Sequence, residues 1–207
     1  MQFEEFINHL KNQLQKPLPG PVSHQKYMHE ARLKAILQPN HTTRQSAVLI
    51  LFYPFKNEAF LPLILRPAYD GTHGGQMALP GGKMENSDEN LIRTALREAQ
   101  EEIGIKAIDV SVIGQLTEVF IPVSNYNVLP VVGTISYRPD FFPDETEVVR
   151  IFEVGIMDFL NVENVEFRSV NVPSGKMKVP GFDVQGQWLW GATALIFQEL
   201  KDVLIRN

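Results

Sequence analysis

Apolar residues follow two rhythms along this chain of 207 residues. Phe3, Phe6, Ile7, Leu10 and Leu14 recur three and four positions apart, which places them on one face of a helix. Pro17, Pro19, Gly20 and Pro21 end that helix. Ser23 is placed to cap a second one reaching about Leu37, broken by Gln38-Pro39-Asn40. Beyond residue 46 the rhythm shortens. Ala47–Phe55 and Phe60–Leu65 read as strands of a hairpin closed by Lys56-Asn57-Glu58-Ala59. A glycine-rich loop over 70–75 leads to a short strand at Met77–Leu79, then Pro80-Gly81-Gly82, then a helix from Glu89 to Ile103. Further strands are expected at Val110–Phe120, Val128–Ser136, Val148–Phe152, Val165–Val170, Lys176–Val179 and Gln185–Trp190. A last helix, Ala192 to Ile205, turns Leu195, Ile196, Leu200 and Val203 inward, with Trp188 and Trp190 packed against it. Strands interleaved with helices predict an α/β (α+β) protein with a mixed sheet sandwiched between helices. Residues 1–45 read as a helical extension, a packing lid or dimer arm, and 46–207 as the main domain.

Composition narrows the classes. Hydrophobic residues are 44% and charged ones 21%, as in ordinary globular chains. Nineteen basic against 24 acidic residues give a net charge of −5, which argues against a general nucleic-acid binder. Cysteine is absent, so disulfides, thiol catalysis and thiolate metal sites are excluded. The longest apolar run, Ala47–Phe55, is interrupted by Pro54 and is far short of the ~20 residues that cross a bilayer. Met1-Gln2-Phe3-Glu4-Glu5 lacks the basic and apolar regions of an export signal. A cytoplasmic protein without a membrane partner is the expectation. The histidines of the first 41 residues, His24 among them, are expected at the surface.

The segment Gly81–Ile105 carries the chemistry. At about 100° per residue, Leu91, Ile92, Ala95, Leu96, Ala99 and Ile103 form one buried arc. Asp88 or Ser87 is placed to cap its start and Gly104 its end. Glu98, Glu101 and Glu102 crowd one edge, and Glu102 intrudes into the apolar arc. On a solvated face, acids are normally relieved by bases at four-residue spacing. Arg97–Glu101 and Glu102–Lys106 offer such pairs, whereas Glu98 has no base three or four positions away. Carboxylates in the last turns also oppose the helix dipole. Oxygen ligands at this spacing, with a carbonyl from the glycine turn, suit Mg²⁺ or Mn²⁺ bridging to phosphate.

Arg97-Glu98-Ala99-Gln100-Glu101-Glu102-Ile103-Gly104-Ile105 resembles the second half of the Nudix box, Arg-Glu-apolar-x-Glu-Glu-x-Gly-apolar. The first half, from Gly82, is similar but has one extra residue before the acid preceding the helix; Glu89 has the family's distance to Arg97, and Asp88 competes with it. The resemblance extends to the coenzyme A diphosphatase branch through Arg66, Gly75 and Leu79-Pro80-Gly81-Gly82. It continues at Asn125–Gly133, Glu147–Val154 and Trp190–Ala194, and so spans about residues 63–197. The chain departs from that branch at Ile64, Pro67, Gly71 and Leu79. Gly71 stands where a second arginine is usual, which bears on substrate contacts more than on chemistry.

The resemblance implies a Nudix fold and metal-assisted attack of water on a diphosphate. Glu98, Glu101, Glu102 and the Gly81 carbonyl would hold Mg²⁺ or Mn²⁺, beside Gly82. One of these glutamates or Glu147 would be the general base; Arg97 would orient a carboxylate, with Glu89 as its partner. For coenzyme A or acyl-CoA the products would be 3′,5′-ADP and (acyl-)4′-phosphopantetheine. Arg66, His73 and Lys83 would meet the 3′-phosphate, and Tyr126, Phe120 or Phe182 the pantetheine arm. ADP-ribose or another nucleoside diphosphate derivative is the alternative substrate, and a non-catalytic binding module the second alternative. A homodimer built on the Phe3–Leu14 stripe is a further expectation.

Overall fold

The computed structural model describes residues 1–28, 38–69, 73–161, 165–172 and 175–206. The second helix expected up to Leu37 lies mostly outside them. What is described of it is α2 (Pro21–His24) and a short 3₁₀ turn, Gln25–Tyr27.

One long strand organises the molecule. β1 (Arg44–Phe55) runs parallel to β7 (Tyr126–Thr134) over its first nine residues, with Arg44 opposite Tyr126 and Phe52 opposite Thr134. Arg44 and Gln45, counted above with the extension, are thus already in the sheet. On its other side β1 takes β4 (Gly81–Lys83), antiparallel at Ser46–Val48. Its last residues turn into β2 (Glu58–Leu65) through Lys56-Asn57. Both turn residues have positive φ, 50° and 65°, the twist that a two-residue hairpin needs. β2 then pairs with β3 (Met77–Ala78) and with β8 (Arg150–Gly155).

The single strand expected over Val110–Phe120 is two, β5 (Ser111–Gln115) and β6 (Val119–Ile121), both against β7. The break has a cause: the Thr117 N–H and hydroxyl leave the ladder for Glu199, at 3.2 and 2.6 Å. β9 (Glu166–Val172), β10 (Gly175–Val184) and β11 (Gln187–Trp190) form a separate three-stranded antiparallel sheet.

Alternation along β1 divides the core. Leu49, Leu51 and Tyr53 face α3 (Leu91–Ile103), with Ala95, Leu96, Ala99 and Ile103. Ile50 and Phe52 face the other side, with α1 (Phe3–Leu14) and α5 (Gly191–Ile205); α4 (Ile156–Leu160) also packs there. A mixed sheet between helices is the result. At about 25 cal/mol per Å² of apolar surface removed from water, this two-sided cover is the main stabilising term.

The α1 stripe is consumed within the chain. Phe3, Phe6, Ile7 and Leu10 are all buried against the sheet and α5, so that stripe is not a free dimer face. His24 is also buried. It bonds Glu199 at 2.9 Å, and the same carboxylate accepts Gly20 N–H at 3.1 Å. Asp202, one turn on, receives the Ser23 hydroxyl at 2.6 Å and Lys26 at 3.1 Å. Polar residues of the extension that read as surface groups are its attachment to α5.

Candidate active site

Gly81 and Gly82 pass beneath the last turns of α3. Gly81 has φ 151°, and a Cβ there would overlap the Ala47 carbonyl and the Val48 backbone. Only glycine fits this approach to β1. A Cβ at Gly82 would overlap the Glu98 carboxylate. The Ser46 hydroxyl fixes the Gly82 carbonyl at 2.7 Å. The two glycines therefore let a helix carboxylate lie directly on backbone.

Glu102 is 1% exposed. Its Oε2 accepts the Gly81 N–H at 2.7 Å and its Oε1 faces Arg66 Nη2 at 3.3 Å. The basic partner of Glu102 is thus Arg66, just past the end of β2, and not Lys106, which lies beyond the Gly104 helix stop. Burial pushes the Glu102 pKa up to about 7; Arg66 and the Gly81 amide oppose this, and the negative charges of Glu98 and Glu147 add to it. Burial likewise raises Glu98, with Glu101 and Glu147 contributing and Arg97 opposing.

Arg97 organises the other side. Its Nη1 lies 3.0 Å from Glu98 Oε1 and 2.8 Å from Glu101 Oε2. Glu98 is therefore relieved by its sequence neighbour, a pairing that four-residue spacing does not reveal. Glu101 is turned toward Arg97, with 57% of its side chain exposed. Among the described residues no three carboxylate or imidazole groups converge on one point: Glu98 and Glu102 share the glycine turn, and Glu101 stands aside with Arg97.

The partner of Arg97 is Asp88, which takes Nε at 3.0 Å and Nη2 at 2.9 Å. Thr94 Oγ1 and the Glu85 N–H also donate to Asp88, at 3.0 and 2.9 Å. These donors hold its pKa well below the usual carboxylate range. Glu89 does not fill the role expected of it. It is 80% exposed and 4.0 Å from Arg93. Asn90, rather than Asp88 or Ser87, caps α3 by accepting the Arg93 N–H at 3.1 Å, because the Asp88 oxygens are already committed. Gly104 closes the helix with φ 73°.

Glu147 lies on a loop fastened to α3: Phe142 N–H donates to Ile103 O and Asp144 N–H to Glu102 O, each at 3.0 Å. The loop supplies donors for two orphan carbonyls of the helix end and sets Glu147 within electrostatic reach of Glu98 and Glu102.

His73 is half-buried beside Gln76, and burial lowers its pKa, with Arg66 adding to the effect. Lys83 contributes its carbonyl, which receives Arg97 Nη2 at 3.1 Å, while its side chain is exposed. The Tyr126 ring lies 4.1 Å beneath the Arg44 guanidinium. Phe182 is a core residue, stacked on Tyr27 at 4.4 Å between ring centres. Asp88, the competitor of Glu89 in the sequence, fills the role of Arg97 partner, and Ser46 is a contributor that spacing did not single out. A depression of about 540 Å³, lined in part by Phe141, Phe142 and Ile151, opens beside the fastened loop.

Residues 43–163 match the NUDIX domain family. The chain belongs to the Nudix hydrolases. A relative described as the uncharacterized Nudix hydrolase NudL of Pectobacterium atrosepticum is 35% identical over 171 residues, covering 83% of this chain and 88% of the relative. Its namesake in Yersinia pestis is 34% identical over 197 residues, 95% and 92% of the two chains. Among solved structures, the Nudix hydrolase RenU of M. smegmatis superimposes with a TM-score of 0.55 at 21% identity, over 78% of this chain and 85% of that one. That likeness concerns the fold alone. Nudix hydrolases generally use divalent metal ions. Glu98, Glu102 and the Gly81 carbonyl are oxygen donors of the kind such hard ions take; burial and neighbouring carboxylates leave both glutamates with raised pKa values. No helix among the described residues is long and apolar enough to cross a membrane.

Proposed function

We propose that this Nudix hydrolase cleaves the diphosphate bond of coenzyme A or acyl-CoA, giving 3′,5′-ADP and (acyl-)4′-phosphopantetheine. The observation that carries the chemistry is the pair Glu98–Glu102 pressed on the Gly81-Gly82 turn. These two carboxylates and the Gly81 carbonyl would hold Mg²⁺ or Mn²⁺, with Glu101 as the neighbouring carboxylate. When bound, the ion supplies charge neutralisation at the diphosphate and a lowered pKa for water.

The protein's own groups do the rest. Asp88 fixes Arg97, and Arg97 fixes Glu98, so the pair is oriented before substrate arrives. Glu147 or a helix glutamate accepts the proton of the attacking water. A new P–O bond forms as the bridging P–O bond breaks, and the phosphoryl charge released there needs cations nearby. Arg66 would be the cation there, and His73, Lys83 and Tyr126 would supply further substrate contacts. The coenzyme A assignment is supported by the Arg66, Gly75 and Leu79–Gly82 spacing and by the Asn125–Gly133 segment.

Product analysis with Mg²⁺ or Mn²⁺ across coenzyme A, acyl-CoA, ADP-ribose and NADH tests it. Release of 3′,5′-ADP from coenzyme A at the highest kcat/KM is expected. Preference for ADP-ribose or a dinucleotide overturns the substrate assignment.

A further inference from the structure

Arg66 Nη2 donates to the Gly81 carbonyl at 2.9 Å and also faces Glu102 Oε1 at 3.3 Å. These are two of the three groups assigned above to the cation. A guanidinium carries only donors and keeps its proton at any ordinary pH. A positive charge therefore already sits between the two oxygens. A divalent ion needs lone pairs on the same oxygens at roughly 2.0–2.6 Å. Two cations sharing these oxygens would repel strongly beside the buried Glu102 carboxylate.

We propose that Arg66 is a built-in counter-ion that occupies the site in the metal-free enzyme and is expelled when the divalent cation binds, which frees its guanidinium for the substrate diphosphate. The anchoring permits this. The Arg66 backbone is held, its N–H donating to Gln76 O at 3.1 Å, whereas 28% of its side chain is exposed and has room to swing. Arg97 differs, being tied by Asp88 at two nitrogens. One arginine is a fixture and the other is a placeholder. Metal loading and diphosphate binding are thereby coupled: the ion that takes the oxygens also delivers the arginine.

The inference rests on the metal reading of the site, and one titration separates the two. Mn²⁺ affinity of the metal-stripped full chain is measured at pH 8 by the resonance of free Mn²⁺, for wild type, Arg66→Gln and Arg66→Lys. Arg66→Gln is expected to bind at least tenfold more tightly than wild type, and Arg66→Lys, which keeps the charge, within about threefold of it. Equal or weaker binding by Arg66→Gln, with wild type binding normally, overturns the placeholder role and leaves the metal site standing. Absence of binding in all three overturns the metal site itself. Should Arg66→Gln fail to fold, the ¹⁵N Nε–H resonance of Arg66 in wild type is followed instead. It is expected to shift as Mg²⁺ saturates the protein, and an unchanged resonance overturns the proposal.

Discussion

Replacing Asp88 by alanine strips Arg97 of two hydrogen bonds, takes the acceptor of the Glu85 N–H and leaves the Thr94 hydroxyl only the longer bond to Asn90 O, at 3.3 Å. The side chains are 4% exposed for Asp88 and 23% for Arg97. Breaking a buried pair costs about 3–5 kcal/mol. Arg97 keeps Glu98 and Glu101, so Asp88→Ala is expected to cost about 2–3 kcal/mol, somewhat below that range. Asp88→Asn, which retains one acceptor oxygen, should cost about half as much. Glu89→Ala, one residue away, should change stability by less than about 0.5 kcal/mol, as for any exposed pair at long distance. Because the folded pKa of Asp88 is depressed, its contribution is complete above the ordinary carboxylate range and is lost only as pH falls below it. The order should therefore be the same at pH 7 and pH 6. Urea unfolding with a common slope measures it. Turnover should follow: with Arg97 untethered, Glu98 loses its orientation and kcat should fall about tenfold or more, while Glu89→Ala keeps the wild-type rate. Equal costs for Asp88→Ala and Glu89→Ala, or a cost below about 1 kcal/mol for the former, would refute the argument.

Glu102→Gln should lower kcat by about three orders of magnitude, roughly 4 kcal/mol of barrier, with a circular-dichroism spectrum like wild type; wild-type rates would remove Glu102 from the metal site. Gly82→Ala should displace the Glu98 carboxylate and cut turnover at little cost in stability. Gly81→Ala meets rigid backbone at φ 151° and should cost about 3 kcal/mol or more in urea unfolding; similar stabilities for the two variants would contradict the packing described. Glu199→Ala leaves Gly20, His24 and Thr117 donors buried without acceptor and should cost about 3–5 kcal/mol, with faster proteolysis within residues 1–28 as the local readout.

The α3 segment was readable because its signals are local: an apolar arc, a closing glycine and acids at fixed spacing. The nearly continuous apolar run Ala47–Phe55 was equally plain, as suits a strand buried on both faces. What escaped was non-local. Glu199 splits one expected strand into β5 and β6 from more than 80 residues away, and no window around Thr117 contains that carboxylate. His24 looked like a surface histidine because its partner is 175 positions distant. Glu89 and Asp88 are one residue apart, and the family's spacing favours the former. Only the donors gathered by Arg97, Thr94 and Glu85 identify the latter. Glu102 shows the same limit in the site, since Arg66 reaches it from just past β2, 36 positions away, where spacing along the helix offered only Lys106 beyond the Gly104 stop.

The hydrogen bonds joining α1 and α2 to α5 bear on biosynthesis. His9 reaches Leu204 O at 2.9 Å and Gln13 reaches Arg206 O at 3.1 Å, so segments nearly two hundred residues apart complete each other. Ribosomes add about 5–20 residues per second, so the first helix waits about 10–40 s for its far partner. During that wait part of the Phe3–Leu10 face is uncovered in the nascent chain, and a chaperone that shields short aromatic stretches would find its target there and nowhere later.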